Sequence, residues 1–134
     1  MNSRLFVYGT LLSTAGHPMG ARLRRQAGLL GEASIQGRLY RVSSYPGLVG
    51  TGNTQERVHG ELYALNNPAM ALRWLDAYEG IVPGGHDKND YERIERPVRL
   101  ASGEDVAAWV YLYRKDVRRL APIPGGRWVP GDGC

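Results

Sequence analysis

Two short segments contain the residue types that proton-transfer chemistry needs. Residues 75–80 (LDAYEG) end an apolar, helix-prone stretch with a carboxylate, Glu79, followed by a glycine. Residues 7–12 (VYGTLL) follow a strand-like stretch and contain Gly9. The C-terminal end of a helix disfavours an ionised carboxylate, so we expect the pKa of Glu79 to lie above its ordinary value. The two segments predict one acid/base group, Glu79, facing one backbone anion-binding loop around Gly9.

Each segment also has a structural alternative. A glutamate at a helix end is often a solvated surface carboxylate, and residues 8–10 have the composition of a turn that ends a strand. Trp74 and Tyr78 fall on the apolar stripe of the helix, so we assign them to the core and not to the site. The residues alone therefore leave the role of Glu79 open.

The elements that would position these segments follow from hydrophobic periodicity and turn residues. Strands are predicted over residues 4–8, 32–42, 57–65, 91–100 and 105–113, and helices over 19–26 and from 66–68 to the stop at Gly80. Gly28 and Gly31 are expected to break the chain after the first helix, and Gly37 indicates a bulge or sharp bend. Residues 43–47 are predicted to form a turn. These elements predict an α+β domain with a mostly antiparallel or mixed sheet, curled toward closure.

Composition limits the class of protein. A chain of 134 residues fits one domain, 1–134, and its 43% hydrophobic and 22% charged residues are typical of a globular protein. No apolar run approaches the ~20 residues that a membrane-spanning helix needs. The N-terminus lacks the pattern of a secretion signal. We therefore expect a cytoplasmic protein that does not bind membranes.

Metal, disulfide and nucleic-acid chemistry are not favoured by the sequence. The only cysteine is Cys134, the last residue, and His17, His59 and His86 lie far apart, so neither a disulfide nor a zinc site is expected. The 17 basic and 13 acidic residues give a charge of +4, but the basic clusters at 22–25 and 114–119 lack interleaved aromatic residues. We predict no cofactor and no nucleic-acid partner, and a field that attracts a small anionic substrate.

The order and spacing of six landmarks resemble the γ-glutamylcyclotransferase-like superfamily over most of the chain. The landmarks are residues 7–11 (VYGTL), 45–49 (YPGLV), 60–63 (GELY), 75–80 (LDAYEG), 91–93 (YER) and 110–111 (VY). The resemblance implies a small barrel of mixed strands flanked by helices. It also implies that Glu79 is the general acid/base and that Tyr8, Gly9, Thr10 and Leu11 bind the γ-glutamyl part of a substrate through backbone amides.

The activity implied by the resemblance is cleavage of a γ-glutamyl amide by the substrate's own α-amine, which releases 5-oxoproline and an amine or amino acid. Such an intramolecular attack needs no protein nucleophile, only a base, an acid and donors for the developing oxyanion. Pro46, Gly47, Leu48, Tyr91 and Tyr113 are further candidates for the pocket wall, because tyrosine hydroxyls and bare loop backbone suit a small polar ligand.

Two alternatives remain open. One is the removal of a γ-glutamyl protecting group from a biosynthetic intermediate by the same chemistry, and the other is a non-catalytic small-molecule-binding module on the same barrel. The loop 80–90 and the tail after Arg114 are expected to shape the leaving-group side. The sequence sets neither the leaving amine, nor whether glutathione fits, nor the oligomeric state, nor whether the loop amides bind a carboxylate or the oxyanion.

Overall fold

Ten regular helices and strands are present in the computed structural model, which describes residues 2–85 and 89–129. The strands are β1 (Arg4–Val7), β2 (Ala27–Gln36), β3 (Arg38–Arg41), β4 (Pro46–Val49), β5 (Arg57–Leu65), β6 (Tyr91–Leu100), β7 (Asp105–Tyr113) and β8 (Ala121–Pro122). The helices are α1 (Pro18–Arg25) and α2 (Pro68–Tyr78). His86, which was not expected to bind zinc, and Cys134, which was not expected to form a disulfide, lie outside the described residues.

Strands β1, β5, β2, β6 and β7 form a closed barrel in that order. β1 pairs in parallel with β7 at Leu5 and Trp109, and the other neighbours in the barrel are antiparallel. Strands β4, β3 and β8 form a separate three-stranded sheet. The predicted α+β class and the mostly antiparallel barrel implied by the resemblance are both confirmed.

Helix α2 begins and ends where the sequence predicts. The Asn67 side chain accepts a hydrogen bond from the Met70 amide, and Pro68 occupies the first turn. The buried stripe of α2 consists of Ala71, Leu72, Trp74 and Leu75. Gly80 has a φ of 76°, which a glycine adopts without steric cost. This left-handed residue stops the helix directly after Glu79.

The start of β2 differs from the prediction. The strand runs through Gly28 and Gly31, and its pairing with β5 shifts register between Leu29 and Gly31. Gly31 has a φ of 137°, so it absorbs the irregularity and the strand continues beyond it. The bend predicted at Gly37 is confirmed, because this residue separates β2 from β3.

The predicted turn at residues 43–47 is two residues too long. Only residues 43–45 bend, and Pro46 and Gly47 are the first residues of β4, where they pair with Arg41 and Tyr40. Position 47 of this strand has room only for a glycine, because β4 packs closely on β7. A Cβ at this position would lie 2.9 Å from the Tyr113 side chain. Gly47, which suggested a turn in the sequence, is therefore explained by the tight packing of β4 on β7.

No helix among residues 2–85 and 89–129 is both long and apolar enough to span a membrane.

Candidate active site

A cavity of about 670 Å³ opens between the end of β1, the end of α2 and the first residues of β4 and β6. This volume lies in the range of about 300–1,000 Å³ that is usual for small-molecule sites. The lining residues are mostly aromatic or small: Phe6, Val7, Tyr8, Gly9, Thr10, Leu11, Ala15, His17, Ser44, Tyr45, Pro46, Tyr78, Glu79, Gly80, Asp90, Tyr91, Tyr111 and Trp128. Glu79 and the predicted loop 8–11 therefore share one cavity.

Glu79 is the C-terminal cap of α2, and its amide donates to the Leu75 carbonyl. Within residues 2–85 and 89–129 its carboxylate has no hydrogen-bond or ion-pair partner. No fully buried side-chain oxygen or nitrogen in this part of the chain lacks a partner. The unpaired carboxylate oxygens are therefore not fully buried, and Glu79 is one of the residues that line the cavity.

Burial raises the pKa of Glu79 to about 7, and the negative charge of Asp76 acts in the same direction. The direction agrees with the prediction from sequence, but the largest cause is burial, which the sequence did not predict. Removal from water disfavours the charged form of a carboxyl group and so raises its pKa. A carboxyl group with a pKa near 7 can both accept and return a proton at neutral pH.

This pKa predicts a stability difference between the protein and its Glu79→Gln variant. In the unfolded chain Glu79 loses its proton near pH 4.5, whereas in the folded protein it does so near pH 7. Below pH 4.5 both states are protonated, and between the two values only the unfolded chain loses the proton, which lowers the free energy of unfolding as pH rises. The neutral glutamine amide of the variant does not titrate and avoids this loss.

We therefore expect the two proteins to have similar stability at pH 4 and the variant to be more stable at pH 8, by up to about 3 kcal/mol. Urea unfolding of both proteins at the two pH values measures the difference. An equal free energy of unfolding at pH 8 would contradict the raised pKa.

The loop after β1 offers three backbone donors. Gly9, Thr10 and Leu11 line the cavity, and within the described chain their amides donate to no other protein group. The Gly9 carbonyl accepts a hydrogen bond of 3.0 Å from the Leu12 amide, which closes the turn. Unpaired amides on successive residues are donors of the kind that can bind a carboxylate or an oxyanion.

Gly9 has no room for a side chain. A Cβ at this position would lie 2.7 Å from the ring of Pro46, and the φ of Gly9 is not in the left-handed region. The close neighbour that excludes a side chain is therefore the first residue of β4. Pro46 and the loop then form adjoining parts of the cavity wall.

The side chains of Tyr8 and Thr10 hold the loop in place. The Tyr8 hydroxyl donates a hydrogen bond of 2.5 Å to the Tyr111 carbonyl, and the Thr10 hydroxyl lies 2.7 Å from that of Tyr78. Tyr78, which the sequence analysis assigned to the core, thus links the end of α2 to the loop and also lines the cavity. Both side chains are thus engaged in hydrogen bonds within the protein, whereas the amides of residues 9–11 are not.

Three of the predicted wall residues lie elsewhere. Pro46 and Tyr91 line the cavity, and the Tyr91 hydroxyl donates to the Pro46 carbonyl at 2.7 Å. Gly47, Leu48 and Tyr113 do not line it. Leu48 is fully buried in the core, and Tyr113 packs edge-on against Tyr91 with ring centroids 5.4 Å apart. These residues support the wall because β4 and β7 pack behind it.

Sequence reasoning missed several residues of the site. Tyr111 belonged to a landmark but was assigned no role, and Asp76 lies three positions before Glu79, a spacing that places both on one face of a helix. Those two could have been found from the sequence. His17 also lines the cavity, and no sequence signal marked it. Tyr45 lines it too and belonged to a landmark, but it was assigned no role. Asp90 and Trp128 line the cavity from the loop 80–90 and the tail after Arg114, the two segments that were expected to shape the leaving-group side. Across the described residues, no group of three acidic, histidine or cysteine side chains is arranged to hold a metal ion.

Comparison with known proteins agrees with this architecture. A family model described as "Gamma-glutamyl cyclotransferase, AIG2-like" matches residues 5–130. The "Gamma-glutamylcyclotransferase family protein ytfP" of Citrobacter rodentium is 35% identical over 130 residues, which cover 96% of this chain and 97% of that protein. Both matches extend over nearly the whole chain, so they include the cavity and its walls.

Solved structures give the same result. The solution structure of ytfP from Escherichia coli has a TM-score of 0.62 and 32% identity, with 94% of this chain and 96% of that one covered. YkqA from Bacillus subtilis has a TM-score of 0.72 at 23% identity and shares the fold; the match covers 96% of this chain and 40% of that longer protein. By sequence and by fold, the chain belongs to the γ-glutamyl cyclotransferase, AIG2-like family.

Proposed function

We propose that this protein is an enzyme that releases 5-oxoproline and a free amine or amino acid from a γ-glutamyl compound. The observation that carries the proposal is the shared cavity, in which the unpaired carboxylate of Glu79 and the unpaired amides of residues 9–11 line one space. Membership of the family supports the class of substrate.

In the proposed reaction the α-amine nitrogen of the substrate attacks its own γ-carbonyl carbon, which forms a five-membered ring. Glu79 accepts the proton that the attacking amine loses. Glu79 then gives this proton to the departing nitrogen as the bond between that nitrogen and the γ-carbon breaks. The two steps balance without water or a redox partner, and one carboxyl group serves as base and then as acid.

The amides of Gly9, Thr10 and Leu11 are the proposed anion site. They can hold the substrate α-carboxylate, which fixes the bent conformation that brings the amine to the carbonyl. They can equally stabilise the oxyanion that forms when the amine attacks. Burial raises the pKa values of Tyr8 and Tyr91 far above their ordinary value, so both hydroxyls stay protonated and support the cavity as neutral donors.

A panel of γ-glutamyl compounds tests the proposal. We expect 5-oxoproline to accumulate with at least one member of a set that includes γ-glutamyl-α-amino acids, γ-glutamyl-ε-lysine, γ-glutamyl alkylamines and glutathione, and to be absent without protein. Mass spectrometry of the products identifies the leaving amine at the same time. Binding of 5-oxoproline without turnover of any member would instead favour a non-catalytic binding module.

A further inference from the structure

Asp76 is the residue that fixes the end of α2 on the barrel. Its carboxylate accepts from Arg93 Nε at 2.8 Å, from Arg93 Nη2 at 3.2 Å and from the Tyr111 hydroxyl at 2.6 Å. Arg93 lies on β6 and Tyr111 on β7. The guanidinium of Arg93 also stacks on the Trp109 ring at 4.5 Å. A single side chain therefore joins the helix to two adjacent strands.

The backbone of Asp76 closes the segment that carries Glu79. The Asp76 carbonyl accepts from the Ile81 amide at 2.9 Å, and the Ala77 carbonyl accepts from the Gly80 amide at 3.1 Å. This pair of bonds around a left-handed glycine is the Schellman arrangement that ends a helix. Glu79 sits inside this closed loop, so its position follows that of Asp76.

Two hydrogen-bonded paths connect the helix end with the loop around Gly9. One runs from Asp76 through Tyr111 to Tyr8, because the Tyr111 hydroxyl donates to Asp76 and its carbonyl accepts from Tyr8. The other runs from Tyr78 directly to Thr10. The two paths reach the residues on either side of Gly9, so they set the spacing between the Glu79 carboxylate and the loop amides.

Asp76 also supplies the charge next to Glu79. The titratable groups that interact with Glu79 are Asp76 and the tyrosines Tyr8, Tyr78, Tyr91 and Tyr111, while His17, Tyr45 and Asp90 line the same cavity. Burial raises the pKa values of the four tyrosines, which leaves them neutral. Among the groups that interact with Glu79, Asp76 thus carries the fixed charge.

We propose that Asp76 is a positioning residue for Glu79: clamped by Arg93 and Tyr111, it holds Glu79 opposite the loop amides and keeps a negative charge beside it. This inference rests on the proposed function. Asp76 does not line the main cavity; with Arg93 it lines a second one of about 260 Å³. Its loss should therefore affect the chemical step more than substrate binding.

Two substitutions that should shift the titration midpoint of Glu79 in opposite directions test the inference without any substrate. Asp76→Asn keeps an oxygen that can accept from Arg93 and Tyr111 but removes the charge, so the titration midpoint of Glu79 should move to lower pH. Arg93→Gln removes the cation that compensates Asp76, so the midpoint should move to higher pH. The readout is ¹³C NMR of glutamate side-chain carboxyl groups, with the Glu79 signal assigned by its absence in Glu79→Gln.

Asp105→Asn is the matched control, because Asp105 also pairs with an arginine, Arg99 at 3.3 Å, and belongs to an exposed ion pair on the hairpin of β6 and β7. It should leave the midpoint unchanged. On a γ-glutamyl substrate, Asp76→Asn should lower kcat about tenfold with KM within about twofold of wild type, because it affects the proton transfer and not the binding contacts.

Each outcome decides one claim. Opposite shifts in the two variants support the inference, and unchanged midpoints in both overturn it. If Asp76→Asn does not fold, the direction of the shift in Arg93→Gln decides alone. Because the titration needs no turnover, failure of every γ-glutamyl compound to react would remove the proposed function and leave the test of Asp76 intact.

Discussion

Glu79→Gln is expected to reduce the rate of 5-oxoproline release by about 10³-fold. The amide of glutamine has the size of the carboxyl group but cannot take a proton from the attacking amine, and loss of general acid/base catalysis usually costs about 10² to 10⁴ in rate. Initial rates measured by product release at pH 8, on whichever γ-glutamyl compound reacts fastest, give the ratio. KM should change little, since the loop amides still hold the substrate.

A loss of activity in Glu79→Gln could in principle result from unfolding, and the predicted change in its stability separates the two causes. At pH 8 the variant is expected to be more stable than the wild-type protein, because it no longer carries a charge that burial disfavours. A loss of activity in a more stable protein cannot be attributed to unfolding. The matched control is Glu32→Gln on β2, an exposed glutamate that does not line the cavity, and it should keep full activity.

Two outcomes of the comparison between Glu79→Gln and Glu32→Gln would contradict the mechanism. If Glu79→Gln released 5-oxoproline at the wild-type rate, another group would have to move the proton, and the assignment of Glu79 would be wrong. If Glu32→Gln lost as much activity as Glu79→Gln, the effect would be one of general charge and not of position.

Gly60→Ala is expected to lower the free energy of unfolding by about 3 to 5 kcal/mol. Gly60 lies on β5, and a Cβ there would lie 2.0 Å from the carbonyl oxygen of Val7 and 2.9 Å from the Phe6 ring. The oxygen belongs to the backbone of β1, so no side-chain rotation can relieve the clash. The barrel must instead open between β1 and β5.

The same substitution should abolish activity even where the protein remains folded. Val7 is the last residue of β1 and leads directly into Tyr8 and the loop amides, so displacement of its carbonyl moves the proposed anion site. Urea unfolding and the product-release assay measure the two effects on one protein preparation.

Gly28→Ala on the neighbouring strand is the control for this prediction. Gly28 also pairs with β5, its φ is not left-handed, and no atom lies within 4 Å of a Cβ built at this position. Its substitution should change the free energy of unfolding by no more than about 0.5 kcal/mol. Equal stability of Gly60→Ala and Gly28→Ala would mean that β1 does not approach β5 as closely as described.

Local signals accounted for much of the fold. Asn67, Pro68 and Gly80 fixed both ends of α2, because capping and left-handed geometry depend on residues close in sequence. The alternation in β5 and the hairpin of β6 and β7 were visible for the same reason. Gly28 and Gly31 misled the prediction, since a strand paired along its length can absorb a bulge that composition alone interprets as a break.

Contacts between distant segments explain what the sequence did not reveal. Asp76 meets Arg93 and Tyr111 only because the barrel closes, and the separation of 17 and 35 positions leaves no periodic pattern to detect. Gly9 was predicted to belong to the site, but the residue that leaves no room for a Cβ there, Pro46, comes from another strand. Trp128 reaches the cavity from the tail after Arg114, a segment that was expected to contribute but in which the sequence marked no particular residue.

The direction of the pKa shift of Glu79 was predictable, but its main cause was not. A helix end is visible in a sequence, whereas burial depends on which side chains surround the carboxyl group. The walls that remove Glu79 from water include Tyr8, Tyr91 and Tyr111, which come from three different strands or the loops that follow them.

The most direct test of the central claim is a crystal structure of Glu79→Gln with an uncleaved γ-glutamyl compound bound. We expect the substrate α-amine to lie within about 3.2 Å of the substituted side chain at position 79, directly or through one water. A carboxylate or γ-carbonyl oxygen of the substrate should accept hydrogen bonds from the amides of residues 9–11. A γ-glutamyl group bound outside this cavity, or one whose amine points away from position 79, would contradict this claim.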